Sequence, residues 1–204
     1  MKSYNKKLQF IIQKLESLYP DPEIPLDHSN HFTFLVAVML SAQSTDKKVN
    51  QITPNLFHKA DSASKMVKLS VDEIRGIIRE IGLAPTKAKN IRKMSELLLS
   101  KYHGSVPNTF EDLESLPGVG HKTASVIMSQ AFNQPAFPVD THIHRLAYRW
   151  KLSNGSNVMQ TEKDLKNLFN KELWNKLHLQ MIFYGREYCK ARPKKCICDI
   201  CVRI

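Results

Sequence analysis

The chain has 204 residues, with 30 Lys and Arg against 19 Asp and Glu, a formal charge of +11. Its apolar content of 42% excludes a disordered tail protein. The longest apolar run, Phe34 to Leu40, is too short for a transmembrane helix.

The hydrophobic period is helical nearly throughout. Leu8, Ile11, Ile12, Leu15 and Leu18 form one stripe of a first helix, closed by Pro20 and Pro22. Phe32 to Ala42 is apolar on most faces and reads as a buried central helix. Thr45 or Ser44 caps a helix carrying Lys47 and Lys48. Ser70-Val71-Asp72-Glu73 is a capping box opening a helix to Ile81, with Gly82 after it. Ala88 to Tyr102 is a further helix, stopped at Gly104. Thr109-Phe110-Glu111-Asp112 is a second, weaker box. Lys122 to Phe132, Asp140 to Trp150, Thr161 to Phe169 and Leu173 to Tyr188 complete the set. No run alternates with period 2. The expectation is an all-α protein of nine to eleven helices, and Pro135 and Pro138 mark a boundary between two lobes.

The charge points to a polyanionic partner. Basic residues recur in Lys87, Lys89, Arg92 and Lys93, and again in Arg186, Lys190, Arg192, Lys194 and Lys195, so they belong to folded surface rather than to one tail. That suits nucleic acid. A membrane surface is disfavoured, because no segment pairs a basic face with a strongly apolar one. Met1 to Gln9 is basic, but no apolar region with a cleavage site follows, so the cytoplasm is the expected compartment.

The most informative segment is Leu116-Pro117-Gly118-Val119-Gly120-His121-Lys122-Thr123-Ala124, a turn between two helices. Two glycines flank Val119, which can pack inward while the turn lets another backbone approach. The next helix offers unpaired N–H groups and a partial positive charge, a good cradle for phosphate. Taken singly, Lys122 reads as a solvated first-turn residue and Asp140 as a helix N-cap. The alternative for the whole segment is a helix–helix turn with no chemistry.

This segment resembles the helix-hairpin-helix of the base-excision DNA glycosylases. Val139-Asp140-Thr141-His142-Ile143-His144-Arg145 is similar to their Val-Asp-Thr-His stretch with its catalytic Asp. Leu40-Ser41-Ala42-Gln43-Ser44-Thr45-Asp46 is similar to a Leu-Ser-x-Gln-x-Thr-Asp segment of the endonuclease III family, and the motifs occur in that family's order. The resemblance implies a bifunctional DNA glycosylase/AP lyase acting on oxidised pyrimidines, with Lys122 as nucleophile and Asp140 as its acidic partner. A lysine amine attacking C1′ leaves a Schiff base, which acidifies C2′ and permits β-elimination of the 3′-phosphate. The amine must be neutral to attack, and an unperturbed lysine titrates near ~10.4. A carboxylate beside it accepts a proton and stabilises developing positive charge. The resemblance further implies that Gln43 plugs the space left by a flipped nucleotide and that Leu83 wedges the opposite strand, with Gly118, Val119 and Gly120 on the phosphate backbone. Ala84-Pro85-Thr86 departs from the family's pattern beside that wedge, which sets the neighbouring DNA contacts apart from the family's, though the basic Lys87 and Lys89 still follow.

Cys189, Cys196, Cys198 and Cys201 are the only cysteines. A cluster of this kind in a cytosolic chain reads as a metal site, and four thiolates suit a [4Fe–4S] cluster or a structural zinc. The resemblance implies [4Fe–4S], but the family's Cys-x6-Cys-x2-Cys-x5-Cys is here Cys-x6-Cys-x1-Cys-x2-Cys, so Cys196 and Cys198 are hard to place on one cubane, and zinc or no metal are the alternatives. The expected organisation is an inner lobe over residues 25–134 holding the hairpin. Residues 1–24 and 135–204 form the second lobe and carry the metal, with the active site in the cleft between the lobes. The expected partner is double-stranded DNA with a damaged base or abasic site, bound by a monomer. The alternatives are a monofunctional glycosylase for another lesion and a non-catalytic helix-hairpin-helix DNA-binding module.

Overall fold

The computed structural model describes residues 2–192 and 196–204. Lys194 and Lys195 of the second basic group lie outside the described residues. Among those described, every regular element is helical: twelve α-helices and one 3-10 turn. None is long and apolar enough to cross a membrane. The chain divides into two compact units, Met1–Glu23 with Asn133–Ile204, and Ile24–Phe132.

The first unit opens with α1 (Lys2–Leu18), whose Ile11 and Leu15 are fully buried. The second unit is built around α2 (His31–Ser41), in which Phe32 to Leu40 are all buried, as an all-round apolar helix requires. Asn30 and Thr33 cap α2 reciprocally: the Asn30 carboxamide accepts from Thr33 N at 2.9 Å, and the Thr33 hydroxyl accepts from Asn30 N at 3.0 Å. Thr45 caps α3 (Asp46–Lys59), and the short α4 (Ala63–Met66) follows. In the Ser70 box the Glu73 carboxylate accepts from Ser70 N at 2.7 Å, and it opens α5 (Val71–Ile77).

Two boundaries differ from expectation by four residues each. α5 stops at Ile77, although Ile78 and Ile81 are buried like Ile74. The chain passes into tight i→i−3 turns there, with Ile81 N on Ile78 O at 2.8 Å. An apolar spacing of three or four residues does not separate such turns from a helix. Conversely, α6 (Ala84–Tyr102) begins four residues before Ala88. Pro85 lies in its first turn, where a missing N–H breaks no helical bond. Left-handed His103 and Gly104 end it, with Gly104 N on Leu98 O at 2.8 Å.

The second unit closes with α7 (Phe110–Glu114) and α8 (His121–Gln130). Back in the first unit lie α9 (Thr141–Arg149), α10 (Val158–Leu168), a 3-10 turn (Lys171–Leu173), α11 (Trp174–Glu187) and α12 (Asp199–Arg203). Phe137, Trp150, Tyr184, Cys189 and Ile200 join Ile11 and Leu15 in this unit's core. The helix count exceeds nine to eleven because α4 and α12 span four and five residues, too few to show a period.

Candidate functional site

The hairpin joins α7 to α8. Gly118 has φ of +82°, and a Cβ there would stand 2.9 Å from both Asn90 and Met39. Only glycine satisfies both the left-handed backbone and the close packing. Val119 is buried, and its N–H donates to Leu116 O at 3.0 Å within the turn. Gly120 is the N-cap of α8 and has open space where a Cβ would be, so the helix N-terminus is unobstructed. A Glu114 carboxylate oxygen and His121 Nδ1, 2.8 Å apart, tie the two helices across the turn. Lys122 stands in the first turn of α8, exposed and without an ion pair among the described residues.

Gln43 and Leu83 lie on two neighbouring loops of the same unit. Both are exposed, and both have left-handed backbones, φ +57° and +62°. Such a backbone costs a non-glycine residue roughly 1–2 kcal/mol and has to be held by its surroundings. Three contacts hold it. Gly82 N donates to the Ser44 hydroxyl at 3.3 Å. A Cβ at Gly82 would come within 3.1 Å of Gln43 O, so the loops touch. Lys87 is buried and reaches from α6 to the end of α2, donating to Leu40 O at 2.8 Å and Ala42 O at 2.5 Å.

Lys87 therefore is not a surface contact for phosphate. Its ammonium caps α2 and fixes the segment entering Gln43, and burial pushes its pKa down. Lys89 is exposed. A helical wheel distinguishes these two faces, but a lysine pattern by itself does not say which one turns inward.

Asp140 belongs to the first unit. One of its carboxylate oxygens accepts from Ile143 N at 2.8 Å, so it is the N-cap of α9. The cap fixes the position of the carboxyl group and leaves the other oxygen outside that bond. Two residues on, His142 is pushed down by burial and by the neighbouring Arg145 guanidinium, with Asp140 acting in the opposite sense.

Three comparisons with known proteins bear on this arrangement. Residues 36–171 match the HhH-GPD superfamily of base excision DNA repair proteins. Endonuclease III of Bacillus subtilis is 41% identical over 94% of this chain and 88% of that protein. The chain belongs to the endonuclease III family. Two solved structures of that family, a non-covalent endonuclease III–DNA complex and a trapped endonuclease III–DNA covalent intermediate, are each similar at TM-score 0.90 and 37% identity. The first covers 97% of this chain and 96% of its own; the second covers 97% of each.

The four cysteines converge. The sulfurs of Cys189, Cys196, Cys198 and Cys201 all lie within 4.8 Å of one another, so all four can ligate one centre. Cys196 and Cys198, one residue apart, both belong to that set. Each thiolate of a four-iron cubane ends on a different iron, which holds the sulfurs roughly 6 Å or more apart. The present spacing is tighter than that. Burial pushes the Cys189 thiol up to about 11, against the opposing pull of Arg149.

The link between this centre and α9 could not be anticipated from motif spacing. Arg149 donates to Cys189 Sγ at 3.3 Å, to Lys190 O at 2.7 Å and to Ala191 O at 3.1 Å. Arg145 donates to Gly185 O at 2.8 Å and Cys189 O at 3.0 Å. The helix that Asp140 caps is thus gripped from its other end by the start of the cysteine loop. The four-residue spacing of Arg145 and Arg149, one helical face, was the signal available in the sequence.

Proposed function

We propose that this chain is a bifunctional DNA glycosylase and AP lyase of base excision repair, releasing oxidised pyrimidines through a lysine Schiff base. The observation that carries this reading is Lys122, an exposed, unpaired amine in the first turn of α8, beside an unobstructed helix N-terminus. Phosphate binding by the hairpin requires the glycine turn only, so that amine is available for chemistry beyond binding. A covalent DNA intermediate trapped in a structurally similar endonuclease III supports the same assignment.

In this reading the hairpin backbone at Gly118 to Gly120 and the N-terminus of α8 take a phosphate. Gln43 enters the vacated stack, where its amide can both donate and accept toward the orphaned base. Leu83 offers an apolar wedge to the other strand, and Lys89 a phosphate contact. The Lys122 amine attacks C1′ and the C1′–N bond to the base breaks. Asp140 stabilises the developing positive charge and accepts a proton from the attacking amine. Opening of the sugar leaves the iminium, loss of a C2′ proton follows, and the 3′-phosphate departs by β-elimination. No step passes through the cysteines. Their loop holds α9, and so Asp140, through Arg145 and Arg149. The protein acts as a monomer on duplex DNA bearing a damaged base or abasic site, in the cytoplasm where that DNA lies.

Borohydride trapping on duplex DNA with one oxidised pyrimidine tests the reading. The parent chain gives a covalent complex and Lys122→Ala gives none, while both bind abasic DNA. Base release without trapping or strand cleavage in the parent would leave a monofunctional glycosylase. Binding without base release would leave a DNA-binding module.

A further inference from the structure

We infer that the four-cysteine site of this chain holds a single tetrahedral metal ion, zinc, in the place where the family resemblance implies a four-iron cluster. The inference rests on the size of the donor set and not on the glycosylase reading. Four atoms no more than 4.8 Å apart share a centre that lies within about 3 Å of each. Zinc thiolate bonds are about 2.3 Å, which places the sulfurs of a regular tetrahedral site about 3.8 Å apart. Cys189 Sγ and Cys201 Sγ stand at 3.7 Å. A cubane core inserts four irons and four sulfides between its ligands and needs roughly 6 Å between sulfurs.

The local chain explains why the set is this tight. Cys196, Cys198 and Cys201 fall within six residues, and Cys198 N donates to Cys196 Sγ at 3.4 Å, which folds the segment around its own sulfur. α12 starts at once after Cys198, and Ile200 is buried in the same core as Cys189. A tetrahedral set of four thiolates takes zinc or an iron–sulfur centre. Size decides for the single ion, and zinc imposes no geometry of its own.

The test uses the full chain, produced with iron and zinc both supplied and purified without oxygen. Metal and acid-labile sulfide are counted per chain. The expected result is one zinc, no sulfide and no broad visible absorption. Exchange with cobalt(II) then gives the visible bands of a tetrahedral tetrathiolate site. Cys198→Ser and Cys201→Ser each lower zinc affinity by at least about tenfold. Should the serine variants fail to fold, the cobalt spectrum of the parent chain still decides the geometry. About four irons with four sulfides per chain would overturn the inference. So would a chain that stays metal-free with both metals at hand, or a cobalt spectrum of octahedral type.

Discussion

Replacing Lys87 with methionine separates two meanings of a lysine in a DNA-binding protein. Lys87→Met keeps the length of the stem inside the core and removes only the ammonium. Leu40 O and Ala42 O then lose the donor that reaches them at 2.8 Å and 2.5 Å. A hydrogen bond to a charged group contributes roughly 1.5–3 kcal/mol, and an orphaned buried carbonyl costs a similar amount. Two such bonds are partly offset because the ammonium no longer has to be desolvated, so a net loss of about 2–3 kcal/mol is expected. For a chain of this size that lowers Tm by about 4–12 °C. The loop entering Gln43 loses its anchor at the same time, so binding to abasic DNA weakens. The effect is coupled to Gln43: in a double-mutant cycle, Gln43→Ala costs less in the Lys87→Met background than in the parent. Lys89→Met does the reverse, because Lys89 is exposed. It leaves Tm unchanged and lowers the salt slope of binding by about one. A Lys87→Met protein that melts within a degree of the parent, with a reduced salt slope, would refute the inward role and return Lys87 to the phosphate surface.

Further substitutions probe the hairpin, the wedge and the caps. Gly118→Ala is expected to destabilise by about 2–4 kcal/mol, from left-handed strain plus overpacking against Asn90 and Met39, read by thermal melting. Gly120→Ala, with nothing within 4 Å of its Cβ, leaves Tm near the parent value but weakens DNA binding in a filter or anisotropy titration. Leu83→Gly relieves a left-handed backbone and raises stability by up to about 1 kcal/mol while reducing excision from damaged duplex. The caps predict an acid limb. Ser70 N–H holds the Glu73 carboxyl below its usual range, and the Tyr102 hydroxyl does the same for Asp112. A depressed carboxylate contributes stability above its unfolded pKa and loses it as pH falls through the folded value. Tm therefore falls as pH drops below about 4, and Glu73→Gln flattens that fall.

Some of this protein is local, and the sequence determined it. The all-helical class follows from an unbroken period of 3.6, the box at Ser70 from a hydroxyl and a carboxylate three residues apart, and the central position of α2 from apolar residues on every side. Family membership follows from short motifs that can be read in order. Local signals failed where tertiary packing chose between equivalent patterns. Ile78 and Ile81 are spaced like a helix but lie in turns, and Pro85 does not delay α6 because the first helical turn has no bond for proline to break.

Only the tertiary structure decided what depends on residues far apart in the chain. Lys87 and Leu40 are 47 positions apart, and whether an ammonium faces a carbonyl or a phosphate depends on how α6 packs on α2. The Ser44 to Gly82 bond joins two loops that carry no common motif. Cysteine spacing pointed to four candidate metal ligands but not to the separation of their sulfurs, which depends on where the end of α11 and the start of α12 are held. Arg145 and Arg149 hold Cys189 to Ala191 from α9. A side chain's type sets what it can bind, and the packing of distant elements sets what it meets.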